Sequence, residues 1–195
     1  RHLVQRSLLN GKHVVTANKA LIAEHGNEIF ALALERGLTV AFEAAVAGGI
    51  SIIKVLREGL AGNRITRVAG IINGTSNFIL TDMSENAVHF SKSLEEAQRL
   101  GYAESDPTFD IEGTDAAHKL AILASIAYGI PLKFDQVYIE GITGVTSEDL
   151  AYARELGYRI KHLGLAVRKD DGIELRTHPC LVPNEELLAN VNGVM

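Results

Sequence analysis

Of the twelve residues from Ala116 to Ala127, nine are hydrophobic; only His118, Lys119 and Ser125 are not. A helix that is apolar on every side must be wrapped by other elements. The stretch therefore predicts a central helix from Asp115 to Tyr128, stopped by Gly129 and Pro131. An ammonium on such a helix is costly to bury without a partner. Asp115 lies one turn before Lys119, and i, i+4 spacing puts the two on one face. That pair suits a proton-transferring amine with its orienting carboxylate; the competing reading is a lysine snorkelling to water. Burial and the positive helix end favour a neutral Lys119, while Asp115 favours the ammonium.

The segment leading into this helix, Glu104-Ser-Asp-Pro-Thr-Phe-Asp-Ile-Glu-Gly-Thr-Asp115, carries five carboxylates in a loop broken by Pro107 and Gly113. A calcium loop needs oxygen ligands at positions 1, 3 and 5 and glycine at 6. Counted from Asp106, Thr108 and Asp110 fall in place, but Ile111 stands where glycine belongs. A solvated acidic loop and a polar substrate site remain. In the second, Glu104, Asp110 and Asp115 are the candidates to hold an ammonium group. Asp106, held extended before Pro107, reads as structural.

Other constellations are weaker. Lys19, in Val15-Thr-Ala-Asn-Lys19, opens a helix after a short strand, where anions gather; an ordinary surface lysine fits as well. Glu43 ends a strand and precedes the small residues Ala44-Ala-Val-Ala-Gly-Gly49, whose carbonyls could converge on a monovalent cation. Tight strand-to-helix packing explains those glycines equally. His118 and His178 have no neighbour at metal-ligand spacing and read as structural. Cys180 has no activating base in view.

The order of elements sets the fold class. A helix ends at Leu9, followed by a strand at His13–Val15, a helix to Arg36 and a strand at Leu38–Glu43. This is the alternation of a doubly wound parallel sheet, of which only the last portion is present. Beyond it, Ser51–Glu58 reads as helix, Ile65–Ile72 as a half-buried strand, and Asn73-Gly-Thr-Ser-Asn77 as a helix start rich in capping residues. Leu94–Leu100 reads as a helix, and Ser147 as the cap of a helix to Leu156. Tyr158–Arg168 and Ile173–Leu181 form a hairpin across Lys169-Asp-Asp-Gly172. The expected architecture is thus an α/β remnant over residues 1–45 and an α+β domain with a mixed or antiparallel sheet over 46–195. Both ends read as cuts through a longer chain.

A net charge of -5 with dispersed basic residues gives no footprint for nucleic acid. The longest apolar run falls far short of the ~18 residues a membrane helix needs. One cysteine and no basic-apolar leader predict a cytoplasmic protein.

Four stretches together resemble the homoserine dehydrogenases: Gly11-Lys-His-Val-Val-Thr-Ala-Asn-Lys-Ala20, Phe42-Glu-Ala-Ala-Val-Ala-Gly-Gly-Ile50, Gly70-Ile-Ile-Asn-Gly-Thr-Ser-Asn-Phe-Ile-Leu80, and Leu100-Gly-Tyr-Ala-Glu104 through Lys119. The resemblance implies interconversion of L-aspartate 4-semialdehyde and L-homoserine with NADP or NAD, on the route to threonine, isoleucine and methionine. It implies Lys119 as the catalytic proton donor, Glu104 and Asp115 as substrate-binding acids, and Asp110 as a supporting acid. Gly101, Glu104 and Lys19 match cofactor-side positions. Glu43, Val46, Gly48 and Ile50 match a sodium site, three of them through backbone oxygens. It also implies a homodimer with sheet strands at the interface.

Two departures accompany the likeness. No Gly-x-Gly-x-x-Gly turn occurs, so this segment alone is expected to bind NAD(P) weakly or not at all. Ser51 stands where the family commonly has proline. Two rival readings are an aspartate-semialdehyde-dehydrogenase-like enzyme, which would need Cys180 as nucleophile, and a non-catalytic amino-acid-binding or dimerisation module.

Overall fold

The computed structural model describes residues 1–194. Helix α1 (His2–Leu9) leads to strand β1 (Val14–Val15), α2 (Lys19–Glu35) and β2 (Val40–Ala41). The two strands pair in parallel, Val14 opposite Val40 and Val15 opposite Ala41, with α2 as the crossover that parallel neighbours require. The Asn18 side chain caps α2, accepting from the Leu21 amide at 2.9 Å. The second strand is shorter than its hydrophobic pattern, because Glu43–Ala45 turns into a 3-10 helix.

Next come α3 (Ile52–Lys54), β3 (Arg67–Gly70), α4 (Gly74–Asn86) and α5 (Phe90–Arg99). The expected helix over Ser51–Glu58 is a single α turn that widens into a π turn over Val55–Gly59. Helix α5 begins four residues ahead of the expected Leu94, since Ser93 turns inward and hydrogen-bonds the Ile79 carbonyl. The acidic segment is not wholly a loop: it contains the short helix α6 (Thr108–Ile111), immediately before α7 (Thr114–Tyr128).

The chain closes with β4 (Tyr138–Ile139), α8 (Ser147–Glu155), β5 (Tyr158–Arg168) and β6 (Ile173–Pro183), then a 3-10 turn over Leu187–Asn190. Thr146, not Ser147, caps α8, in a reciprocal box with Asp149. The hairpin pairs Arg168 with Ile173 and runs two residues past Leu181, to Pro183. The larger sheet is ordered β3-β5-β6-β4; β3 and β6 run antiparallel to β5, and β4 lies parallel to β6.

Helix α7 is the hub, as its composition predicts. Ala117, Leu120, Ala121 and Ala124 pack with Ala166 and Val137 on the sheet side. Ile122 and Leu123 join Ile22, Ile29 and Val40 in a second cluster, which also takes in Val46 and Ile53. The N-terminal α/β portion and the following domain therefore share a core. A third cluster fills the space among α4, α5 and α8. No described helix is long and apolar enough to cross a membrane.

Candidate active site

Gly113 joins α6 to α7 with φ of 85°, a left-handed turn that disfavours any Cβ. This sharp join puts Asp115 in the first turn of α7, facing inward and only 3% exposed. Its Oδ2 accepts from Lys119 Nζ at 2.6 Å and from Asn73 Nδ2 at 2.9 Å. Its Oδ1 meets Lys19 Nζ at 2.9 Å. One buried carboxylate thus holds two ammonium groups, from α2 and α7. Burial pushes the Asp115 carboxyl upward, but the Lys119 charge and the hydrogen bonds from Lys119, Asn73 and Lys19 outweigh it. The net effect holds Asp115 below the usual aspartate value.

Lys119 is not stretched out over the helix as a free surface lysine; protein groups hold its amine, which keeps partial access to solvent. Its Nζ donates to the Ile72 carbonyl at 2.8 Å as well as to Asp115, and its side chain is 21% exposed. Two of its three hydrogens are so engaged, leaving one without an acceptor among the described residues. The amine lines a cavity of about 270 Å³, together with Asn73, Gly74, Val194 and the loop holding Val46, Gly48 and Ile50. A proton-bearing group at the wall of a small cavity, oriented by a buried acid, can protonate or deprotonate an oxygen placed there.

Asn73 links the acids. Its Nδ2 donates to Asp110 Oδ1 at 2.7 Å and to Asp115, while its Oδ1 caps α4 through the Ser76 amide at 2.8 Å. The capping role is visible in Asn73-Gly-Thr-Ser-Asn77; the bridge to two carboxylates is not, because it depends on α4 meeting α6 and α7. Lys19 also stands over the Phe109 ring, 5.8 Å from its centre.

The structure thus assembles Lys19, Asp110, Asp115 and Lys119. Glu104 and Gly101 are exposed at the end of α5. Among the described residues the Glu104 carboxylate bonds to none of the four; its backbone oxygen accepts from Gln98 Nε2 at 3.0 Å. Glu43 turns the other way, its carboxylate receiving the Ile53 and Lys54 amides at 3.1 Å at the start of α3. Val46, Gly48 and Ile50 stay on the cavity wall, in a loop where Ala47 and Gly49 have φ of 49° and 93°. Asp106 accepts from the Thr108 amide at 3.1 Å and shapes the start of α6.

Three further groups stand apart. His118 is buried between Phe109 and Phe134, its Nε2 3.4 Å from Glu24; burial lowers its proton affinity against the pull of Glu24. Cys180 is half-buried, and burial pushes its thiol up, the reverse of an activated nucleophile. A larger hollow, about 670 Å³, lies between α8 and the hairpin; Glu112, Glu140 and Asp149 are its only charged lining residues. Among the described residues its lining holds no paired acid and base.

Comparison with known proteins decides the lineage. The sequence model of homoserine dehydrogenase matches residues 52–195, and that of the homoserine dehydrogenase NAD-binding domain matches residues 1–43. The chain belongs to the homoserine dehydrogenase family. The homoserine dehydrogenase of Pseudomonas aeruginosa is 67% identical over 193 residues, covering 99% of this chain and 44% of that protein. That of Neisseria gonorrhoeae is 60% identical over 195 residues, covering 100% of this chain and 45% of that protein. The chain therefore spans less than half the length of these homoserine dehydrogenases. The crystal structure of the enzyme from Thiobacillus denitrificans superposes with a TM-score of 0.98 at 64% identity, over 100% of this chain and 45% of that one. A hyperthermophilic archaeal homoserine dehydrogenase in complex with NADPH superposes at 0.84 with 33% identity, over 99% of this chain and 55% of that one.

Proposed function

We propose that this chain is the central, catalytic part of a homoserine dehydrogenase, the NAD(P)-dependent enzyme that interconverts L-aspartate 4-semialdehyde and L-homoserine in amino-acid biosynthesis. The observation that carries the reading is the buried Asp115 holding Lys119 at 2.6 Å beside a small cavity, within a family-wide match. Residues 1–45 form the end of the nucleotide-binding part, and residues 46–195 the substrate and dimerisation part.

Reduction of the aldehyde builds negative charge on its oxygen. The Lys119 ammonium stabilises that charge and delivers the proton; in the reverse direction the amine takes the proton from the hydroxyl. Asp115 orients Lys119 and keeps a positive charge beside the oxygen. Asp110 and Asp115, with Glu104 arriving from the α5 end, meet the substrate's ammonium. Asn73 fixes the separation of the first two acids.

The donor set fits a nicotinamide cofactor: Lys19 opens α2 directly beyond the parallel strand β1, where such folds bind anions. Lys19, Gly101 and Glu104 are the residues this chain offers to the nicotinamide end. When bound, NADPH or NADH supplies the hydride. The loop of Val46, Gly48 and Ile50 offers backbone oxygens for a sodium ion that would stiffen the cavity wall. The Glu43 carboxylate, bonded to the Ile53 and Lys54 amides, stands outside that set. The enzyme acts in the cytoplasm as a homodimer.

The test is NADPH consumption by the full-length chain with L-aspartate 4-semialdehyde. Lys119→Ala is expected to lower turnover by orders of magnitude with the fold intact by circular dichroism. Near-normal turnover in that variant would remove Lys119 from the mechanism.

A further inference from the structure

Lys161 sits in the middle of β5 and is 2% exposed, on the strand face that carries Leu163 and Leu165. Among the described residues no carboxylate pairs with it. Its Nζ instead donates to the Val191 carbonyl at 2.6 Å, to Asn192 Oδ1 at 3.2 Å and to Asn77 Oδ1 at 3.3 Å. An ammonium has three hydrogens, and three oxygens receive them. Two of those oxygens belong to the segment that follows the 3-10 turn Leu187–Asn190.

Asn77, in the first turn of α4, completes the clasp: its Nδ2 donates to the Val191 carbonyl at 3.1 Å and to the Gly193 carbonyl at 2.8 Å. One residue further on, Val194 lies so close to α4 that a Cβ on Gly74 would fall 2.5 Å from its carbonyl oxygen. Val194 also lines the cavity that holds Lys119. A chain of direct contacts therefore runs from Lys161 to the cavity wall. A buried cation is expensive, and an apolar side chain would fill this position with less desolvation. The Lys161 ammonium joins oxygens of two separate elements, α4 and the segment after the 3-10 turn.

We propose that Lys161 is a positioning residue for the reaction: with Asn77 it pins Val191–Gly193, and so holds Val194 in place as a wall of the substrate cavity. Lys161 touches no reacting atom. The inference rests on reading the Lys119 cavity as the substrate site.

The test uses the full-length enzyme with valine methyl groups labelled for NMR, and steady-state oxidation of L-homoserine. Lys161→Met is expected to raise KM for L-homoserine about tenfold while kcat stays within about threefold, the scale of one or two lost hydrogen bonds. The Val194 methyl signals are expected to move. Asn192→Ala, at an exposed residue whose loss leaves the core intact, is expected to move the same signals and raise KM about two- to threefold. It carries the test if Lys161→Met does not fold. Val194 signals that stay in place in the folded variants would overturn the clasp. Moved signals with an unchanged KM would overturn its service to the cavity. Absence of L-homoserine turnover in the unmodified enzyme would sink the reaction reading alone, since the Val194 signals report the clasp without catalysis.

Discussion

Lys19 of α2 reaches Asp115 of α7 at 2.9 Å, so the N-terminal α/β portion places a charged group directly on the acid that holds the Lys119 amine. Asp115 is in this sense shared property: Lys119 reaches it along one helix, and Lys19 crosses to it from another. Its removal should disturb both. Asp115→Asn keeps the size and cancels the charge, leaving two ammonium groups facing a neutral amide. We expect kcat/KM to fall at least 100-fold and stability to drop by about 2 kcal/mol in urea unfolding. That is less than the 3–5 of a fully buried pair, because both lysines keep partial access to solvent.

The same carboxyl makes a prediction in acid. Its folded-state value lies below the ordinary 3.8, so its contribution is present above that value and is lost as pH falls through the lowered one. The stability gap between the parent and Asp115→Asn should therefore close in strong acid. A gap that stays constant from pH 6 downward would mean that the charge on Asp115 is not what stabilises the site.

Asn73 offers a sharper dissection. Asn73→Asp is nearly isosteric and keeps the acceptor that caps α4, but it replaces a donor shared by Asp110 and Asp115 with a third carboxylate. Repulsion among the three acids should raise the proton affinity of one of them and spread the pair. The expected outcome is a drop in kcat/KM of at least tenfold at neutral pH, partly recovered at lower pH. A pH–rate profile of both proteins checks it.

Lys161 carries a sign that runs against intuition. Burial, with Arg159 nearby, lowers its value from 10.5 to about 8, while Glu85 pulls the other way. Between those two values the unfolded chain binds the extra proton, so stability rises with pH across that window. Relative to Lys161→Met, the parent should gain roughly 2 kcal/mol between pH 8 and pH 10. Chemical unfolding at the two pH values measures it, and a gap that shrinks with rising pH would contradict the assignment.

How far the sequence carried these conclusions depends on the range of each interaction. The Asp115–Lys119 pair is legible because i, i+4 spacing is a local rule, and the all-round apolar character of α7 announces its central position. The parallel β1–β2 pair and the long hairpin follow from patterns a few residues long. Asn73 and Lys19 arrive at Asp115 through tertiary packing, which no spacing rule encodes. Lys161 leaves a fainter trace: it shares strand parity with Leu163 and Leu165, and a lysine on the apolar side of a strand is a signal in itself. The α6 turn is too short for a periodic pattern to reveal.

Ser51 illustrates a change the fold would accept. Its φ is -75°, within the range a proline ring imposes, and among the described residues its amide donates to no backbone or side-chain acceptor. Ser51→Pro should therefore stabilise the chain by about 0.4–1 kcal/mol through the unfolded state, a rise in Tm of a few degrees by calorimetry. Activity should be unchanged.

The apolar cluster shared by α2 and α7 has a reach beyond holding the halves together. Ile22 and Ile122 lie in the seam that fixes the span between Lys19 and Lys119. Thinning that seam by one methyl group would slacken the grip of both amines on Asp115, so the oil between two helices acts as a remote tuning screw for the chemistry.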